Sequence, residues 1–230
     1  LDARRATLLQ PYSREFVTYD LEFLDDGETI ALVSGAMISG DGRKLYFINR
    51  EMPQDRILEH HWMRKHVWPH LPLTDLPETR GELGQYPVKK CRCMPVQGAK
   101  NEYACRHMNG RLDMDHPDVR PLGQIRRMVS DFLLESHPFN PPADRNDILM
   151  WAWYGAYDHV RLAQLWGPMI ELPRHVPMLP HDLKSEHMRL GSPRLPEQKS
   201  GQHDAMADAE HNLIRARFLY ELATGKSDGE

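Results

Sequence analysis

Apolar and polar side chains alternate from Tyr19 to Phe23, and the β-prone run FVTYDLEF predicts a first strand over 16–23. Thr29 to Ile38 continues in the same style. A Gly40-Asp41-Gly42 turn then leads into Lys44 to Ile48, so residues 16–48 read as three antiparallel strands. Residues 56–67 resemble a helix that ends before the proline-rich PHLPLTDLP. Ile125, Met128, Val129, Phe132 and Leu133 recur at helical spacing and predict a helix over 122–134, which ESHPFNPPADRN (135–146) breaks. Ile148 to Trp153 reads as a short buried strand. Residues 158–166 read as a helix with Leu162, Leu165 and Trp166 inward, stopped by Gly167 and Pro168. The proline-rich stretch 168–202 predicts no definite element. A last helix over 204–222 is expected to present Ala207, Leu213, Ile214, Phe218 and Leu222 to the core. Strands first, then helix, strand and helix, fit a central mixed sheet with helices packed on it. No internal repeat is visible.

With 230 residues the chain is long enough to bury one substantial core. The expected organisation is a single domain over 15–223 between an N-terminal extension (1–14) and a polar tail (224–230). Hydrophobic residues at 40% and charged residues at 27% are the proportions of a soluble globular protein. No apolar run approaches the roughly 20 residues that span a bilayer, so no membrane partner is expected. Three cysteines do not form an even disulfide framework, and cytoplasmic residence is the expectation. A net charge of -4 gives no global nucleic-acid signature. It does not exclude one either, because a local basic groove suffices for a single-stranded end and bound cations offset carboxylates.

The acidic residues then change the picture. Asp20 and Glu22 are two apart on a predicted strand, so both leave the same face of the sheet, opposite Tyr19, Leu21 and Phe23. Two such carboxylates repel unless cations lie between them; a solvated pair on an amphipathic strand is the plainer reading. Asp158 opens a predicted helix, where capping is its plainer role, yet it also follows a strand near a sheet-edge crevice where ligands sit. His203 precedes Asp208 by five residues, an offset that splays them on a continuous helix. The chemistry therefore prefers His203 in the loop, Asp208 within the first turns, and Asp204 at the helix N-terminus. These groups permit two-metal phosphodiester hydrolysis, with His203 taking the proton of the attacking water. Oxygen-only ligands point to two Mg²⁺ ions, with Mn²⁺ as a substitute.

An Asp-x-Glu on the first strand, a central Asp and a closing His-x(4)-Asp resemble the signature of the DEDDh exonucleases, which have an RNase H-like α/β fold. YDLEFLDDGETIALVSGAMISGDGRKLYF, LMWAWYGAYDHVRLAQLWGPM and HDAMADAEHNLIRARF are similar to the mycobacterial branch, 3′–5′ exoribonucleases that prefer polyadenylate. The resemblance implies a five-stranded mixed sheet, metals on the residues Asp20, Glu22, Asp158 and Asp208, and His203 as general base. It also implies Mg²⁺ dependence, single-stranded RNA trimmed from its 3′ end, and a homodimer. Phe23, Trp153 and Tyr157 would lie near the terminal-nucleotide pocket, with a core role the plainer reading of Trp153. Single-stranded DNA is a rival substrate, because neither the carboxylates nor His203 reads a 2′-hydroxyl. A non-catalytic nucleic-acid-binding protein on the same scaffold is the rival from another class.

The chain departs from this family in a longer link at about 80–121. There Cys91, Cys93, Cys105 and His107 make two close pairs of donors for a structural Zn²⁺, with His116 as a spare; the Cys-x-Cys gap is tighter than usual, and unliganded thiols are the plainer reading. Lys89 to Arg111 holds six Lys/Arg and one Glu, a local +5. Lys89, Lys90 and Arg92 would steer a nucleic-acid backbone if this run faces the site; solvated surface is the bland alternative.

Overall fold

A computed structural model describes residues 9–74, 110–137 and 147–225. The alternation around Asp20 becomes β1 (Phe16–Asp25), paired antiparallel with β2 (Ile30–Ser39), whose other side pairs antiparallel with β3 (Lys44–Asn49). The turn between β1 and β2 is held by the Asp26 carboxylate, which accepts from the N–H groups of Glu28 and Thr29. β7 (Leu149–Ala152) pairs parallel with β1 on its free side, and β8 (His181–Asp182) pairs parallel with β7. The order is β6-β3-β2-β1-β7-β8. Among the described residues the sheet thus has six strands where five were expected: β8 and β6 (Val119–Arg120), the latter parallel to the outer side of β3, are each only two residues long and went unread in the sequence. β4 (Leu73–Thr74) and β5 (Arg111–Leu112) form a separate two-stranded ribbon.

Helices cover both faces. The face carrying Val17, Tyr19 and Leu21 packs on α3 (Leu122–Ser136) through Ile125, Val129, Phe132 and Leu133, and on α4 (Ala156–Ala163) through Leu162. The opposite face, with Phe16, Ala36, Ile38 and Trp151, packs on α6 (Ala205–Thr224) and on Leu183 of α5 (Leu183–Arg189). A third cluster joins Val33 and Ile48 to Ile57 of α1 (Gln54–Glu59) and Met63 of α2 (His61–His66).

Two helix expectations need correction. The helix over 56–67 is broken at His60, whose extended backbone (φ -78°, ψ 108°) lets its ring accept from the Met63 N–H and start α2 as a new helix. The core seam of α6 runs through Ala205, Ala209, Leu213, Ala216 and Leu219, while Ile214 and Leu222 are exposed. Small alanines let α6 approach the sheet so closely that the Thr18 hydroxyl donates to the Ala209 carbonyl at 3.0 Å. Close backbone approach decides the phase there, and the largest apolar side chains do not. Residues 9–14 lie against the same helix: Leu9 is buried, and Tyr12 meets Tyr220 edge-on with the Arg217 guanidinium over its ring. No described helix is long and apolar enough to cross a membrane.

Candidate active site

β1 outruns β7, which pairs with it only from Phe16 to Thr18. Beyond Thr18 the β1 backbone needs another acceptor, and the Leu21 N–H donates to Asp158 Oδ1 at 2.8 Å. That bond corrects the capping role considered for Asp158. Gly155 stands at the N-cap of α4, and Asp158 reaches across to the strand from inside the first turn. The alternation of β1 sends Tyr19 and Leu21 into the α3–α4 layer, so Asp20 and Glu22 face α6.

α6 begins as its sequence suggests. The Asp204 carboxylate accepts from the N–H groups of Met206 and Ala207, both at 3.0 Å, and Asp208 lies in the first turn. His203 precedes the helix with φ at 67°, a left-handed backbone that turns its N–H onto Asp208 Oδ2 at 2.7 Å. The Gln198 amide donates to Asp208 Oδ1, also at 2.7 Å. Asp208 is thus held from both sides, and its carboxylate, that of Glu22 and the His203 ring place ligand atoms within 4.8 Å of one another.

The four carboxylates share one electrostatic neighbourhood. Burial pushes Asp20 well above the ordinary carboxylate range, and the charges of Asp158, Glu22 and Asp208 push it further, against the opposing Arg215. Glu22 is raised to about 8 by burial, then by Asp208, Asp158 and Asp204. Asp158 is raised to about 6 by burial, partly offset by the Leu21 N–H. Such a cluster at neutral pH either keeps protons or takes cations. Its donors are hard oxygens with one imidazole beside them, which fits a hard divalent ion such as Mg²⁺ or Mn²⁺ better than a thiolate-preferring metal.

Several neighbours went unread in the sequence. Trp62 and His66 of α2 pack on the His203 ring edge-on, with centroids 4.7 and 5.5 Å away. They are four apart in HWMRKH and so share a helix face, a signal that was available. Arg215 follows Asp208 by seven residues, also on one face; its guanidinium lies 4.5 Å over the Trp153 ring and donates to Asn212 Oδ1. Trp153 is half-buried between Arg215 and Lys184 and packs on the α6 side of the core. Phe23 and Tyr157, flanking Glu22 and Asp158 in sequence, stack on each other at 6.3 Å with 19° between their planes, and Tyr157 is 55% exposed. Lys89, Lys90, Arg92 and the candidate zinc ligands Cys91, Cys93, Cys105 and His107 lie outside the described residues. His116 accepts the Asp118 N–H through Nδ1.

No family model matches the chain. It is similar to two 3′–5′ exoribonucleases from two strains of Mycobacterium tuberculosis, each 31% identical over 201 residues, which are 87% of this chain and 90% of each relative.

Proposed function

We propose, because this chain belongs to the DEDD, RNase H-like family of the mycobacterial 3′–5′ exoribonucleases, that it removes nucleotides from the 3′ end of single-stranded RNA in a metal-dependent reaction. The observation that supports the reading is the cluster of Glu22, Asp208 and His203 ligand atoms, with Asp20 and Asp158 near enough for these carboxylates to repel one another. Adenylate-rich ends are the favoured substrate class, and a homodimer is the working assembly.

In this reading Asp20, Glu22, Asp158 and Asp208 would hold two Mg²⁺ ions, and the chemistry such ions would supply is charge neutralisation at the scissile phosphate and the leaving 3′ oxygen. The protein does the remaining work. Gln198 and the His203 N–H fix the orientation of Asp208, and the Leu21 N–H fixes that of Asp158, so the carboxylates need little reorganisation as charge develops. His203 accepts the proton of the attacking water, its ring steadied by Trp62 and His66. The Phe23–Tyr157 stack, in which Tyr157 is exposed, is the aromatic surface assigned to the terminal base.

Labelled oligonucleotides in Mg²⁺ test this directly. Asp20→Ala is expected to abolish cleavage, and His203→Ala to lower turnover by roughly 10²–10⁴-fold as the sole positioned base. Matched RNA and DNA with free or blocked 3′ ends should show loss of nucleotides only from RNA with a free 3′ end. Faster loss from DNA would move the substrate; equal activity of the native and substituted chains would remove the site.

A further inference from the structure

Arg161 is the only arginine that is buried among the described residues, 8% exposed, and it sits on α4 one turn beyond Asp158. Its Nε has no acceptor, and no described carboxylate pairs with its guanidinium. Burial alone pulls its pKa down, with no acidic neighbour opposing the shift. A largely buried guanidinium without a counter-charge is a costly group to keep.

Beside it lies a cavity of about 250 Å³ lined by Leu122, Gly123, Arg126, Arg161, Gln164 and Leu165. No described acidic side chain lines it. Leu122 and Gly123 open the 15-residue helix α3, where Pro121 at the N-cap supplies no side-chain acceptor. Glu51 Oε2 accepts the Leu122 N–H at 2.7 Å and the Pro121 carbonyl accepts from Gln124 and Ile125, so a bound group approaches the turn at Gly123, which is exposed and whose added Cβ would meet no described atom within 4 Å. Two guanidinium groups and the positive end of a helix around one small hollow suit a tetrahedral oxyanion.

We propose that Arg161, Arg126 and the first turn of α3 form a binding site for a phosphate group, supplied either by free phosphate or by the backbone of a bound nucleic acid. The site stands on the α3–α4 side of the sheet, and its existence does not depend on hydrolysis at the carboxylate cluster.

The test uses the full chain in EDTA. Calorimetric titration with inorganic phosphate should show one bound phosphate per chain, with binding at least tenfold weaker in Arg161→Met and in Arg126→Gln. Arg126 is exposed, so its replacement keeps the experiment decisive even if Arg161→Met fails to fold. The surface control Arg194→Gln should bind as the native chain does. A 3′-blocked RNA that displaces phosphate assigns the source to the nucleic-acid backbone; one that leaves phosphate bound assigns it to the free ion, and either result supports the site. Absence of phosphate binding, or binding unaltered in Arg126→Gln, overturns it. So does a phosphate-insensitive dimer that Arg161→Met dissociates, because the guanidinium would then answer a carboxylate of a second copy.

Discussion

Glu22 carries the clearest cost of gathering four carboxylates at one point. Its folded pKa of about 8 lies above its ordinary value of 4.5. Its stabilising contribution in the metal-free protein is therefore fully present below about pH 4.5 and is lost as pH rises through about 8. Asp158, raised to about 6 from 3.8, acts in the same direction. Denaturation in EDTA should therefore show stability falling between about pH 4.5 and 8, by up to about 5 kcal/mol from Glu22 alone. Mg²⁺ should flatten that profile, and its binding should tighten with pH as it displaces protons. A level profile in EDTA would contradict the proposed crowding. Tyr157 gives a second residue-scale prediction. If its stack with Phe23 receives the terminal base, Tyr157→Ala should raise KM by roughly 5–100-fold while kcat moves less. An unchanged KM would take the stack out of the substrate path.

Among the elements, the pairing of β1 with β2 positions Asp20 and Glu22, and it tolerates little added volume. Gly35 on β2 faces Leu21, and a Cβ there would run into the Leu21 side chain and stand 2.6 Å from Cζ of Phe47. Gly35→Ala should thus cost roughly 1–3 kcal/mol, read as a lowered midpoint in chemical denaturation. A midpoint equal to that of the native chain would mean that the two side chains repack freely. The elements also differ in how legible they were. The three long strands declared themselves through alternation and a Gly-Asp-Gly turn. β6 and β8 did not, since two residues carry no period. His60 hid a helix break because its cap is an imidazole and not one of the usual short polar side chains.

For the molecule as a whole, an acidic chain must still attract a polyanion. If the basic run at 89–111 supplies that attraction, replacing Lys89, Lys90 and Arg92 together by Gln should weaken RNA binding and make it less salt-dependent. The slope of log K against log salt should shrink by about 2, as expected for three phosphate contacts to a single strand. An unaltered slope would leave the run as solvated surface. The topology supplies the complementary part: β1 and β7 are parallel, and the chain beyond β7 delivers Asp158 to the same end of the sheet as Asp20 and Glu22.

Local sequence was enough to set the three-stranded start, the division of β1 side chains between its two faces, the Asp204 cap and the placement of His203 just ahead of Asp208. Each is set by neighbours a few residues away, through the period of the backbone or the reach of a short side chain. Folding in three dimensions settled that the Asp158 carboxylate, on α4, takes the Leu21 N–H, that α6 turns its alanines to the sheet, and that Trp62 and His66 meet His203. Those outcomes depend on which distant backbone group is left without a partner and on how closely two elements approach, and such quantities exist only once the chain has folded.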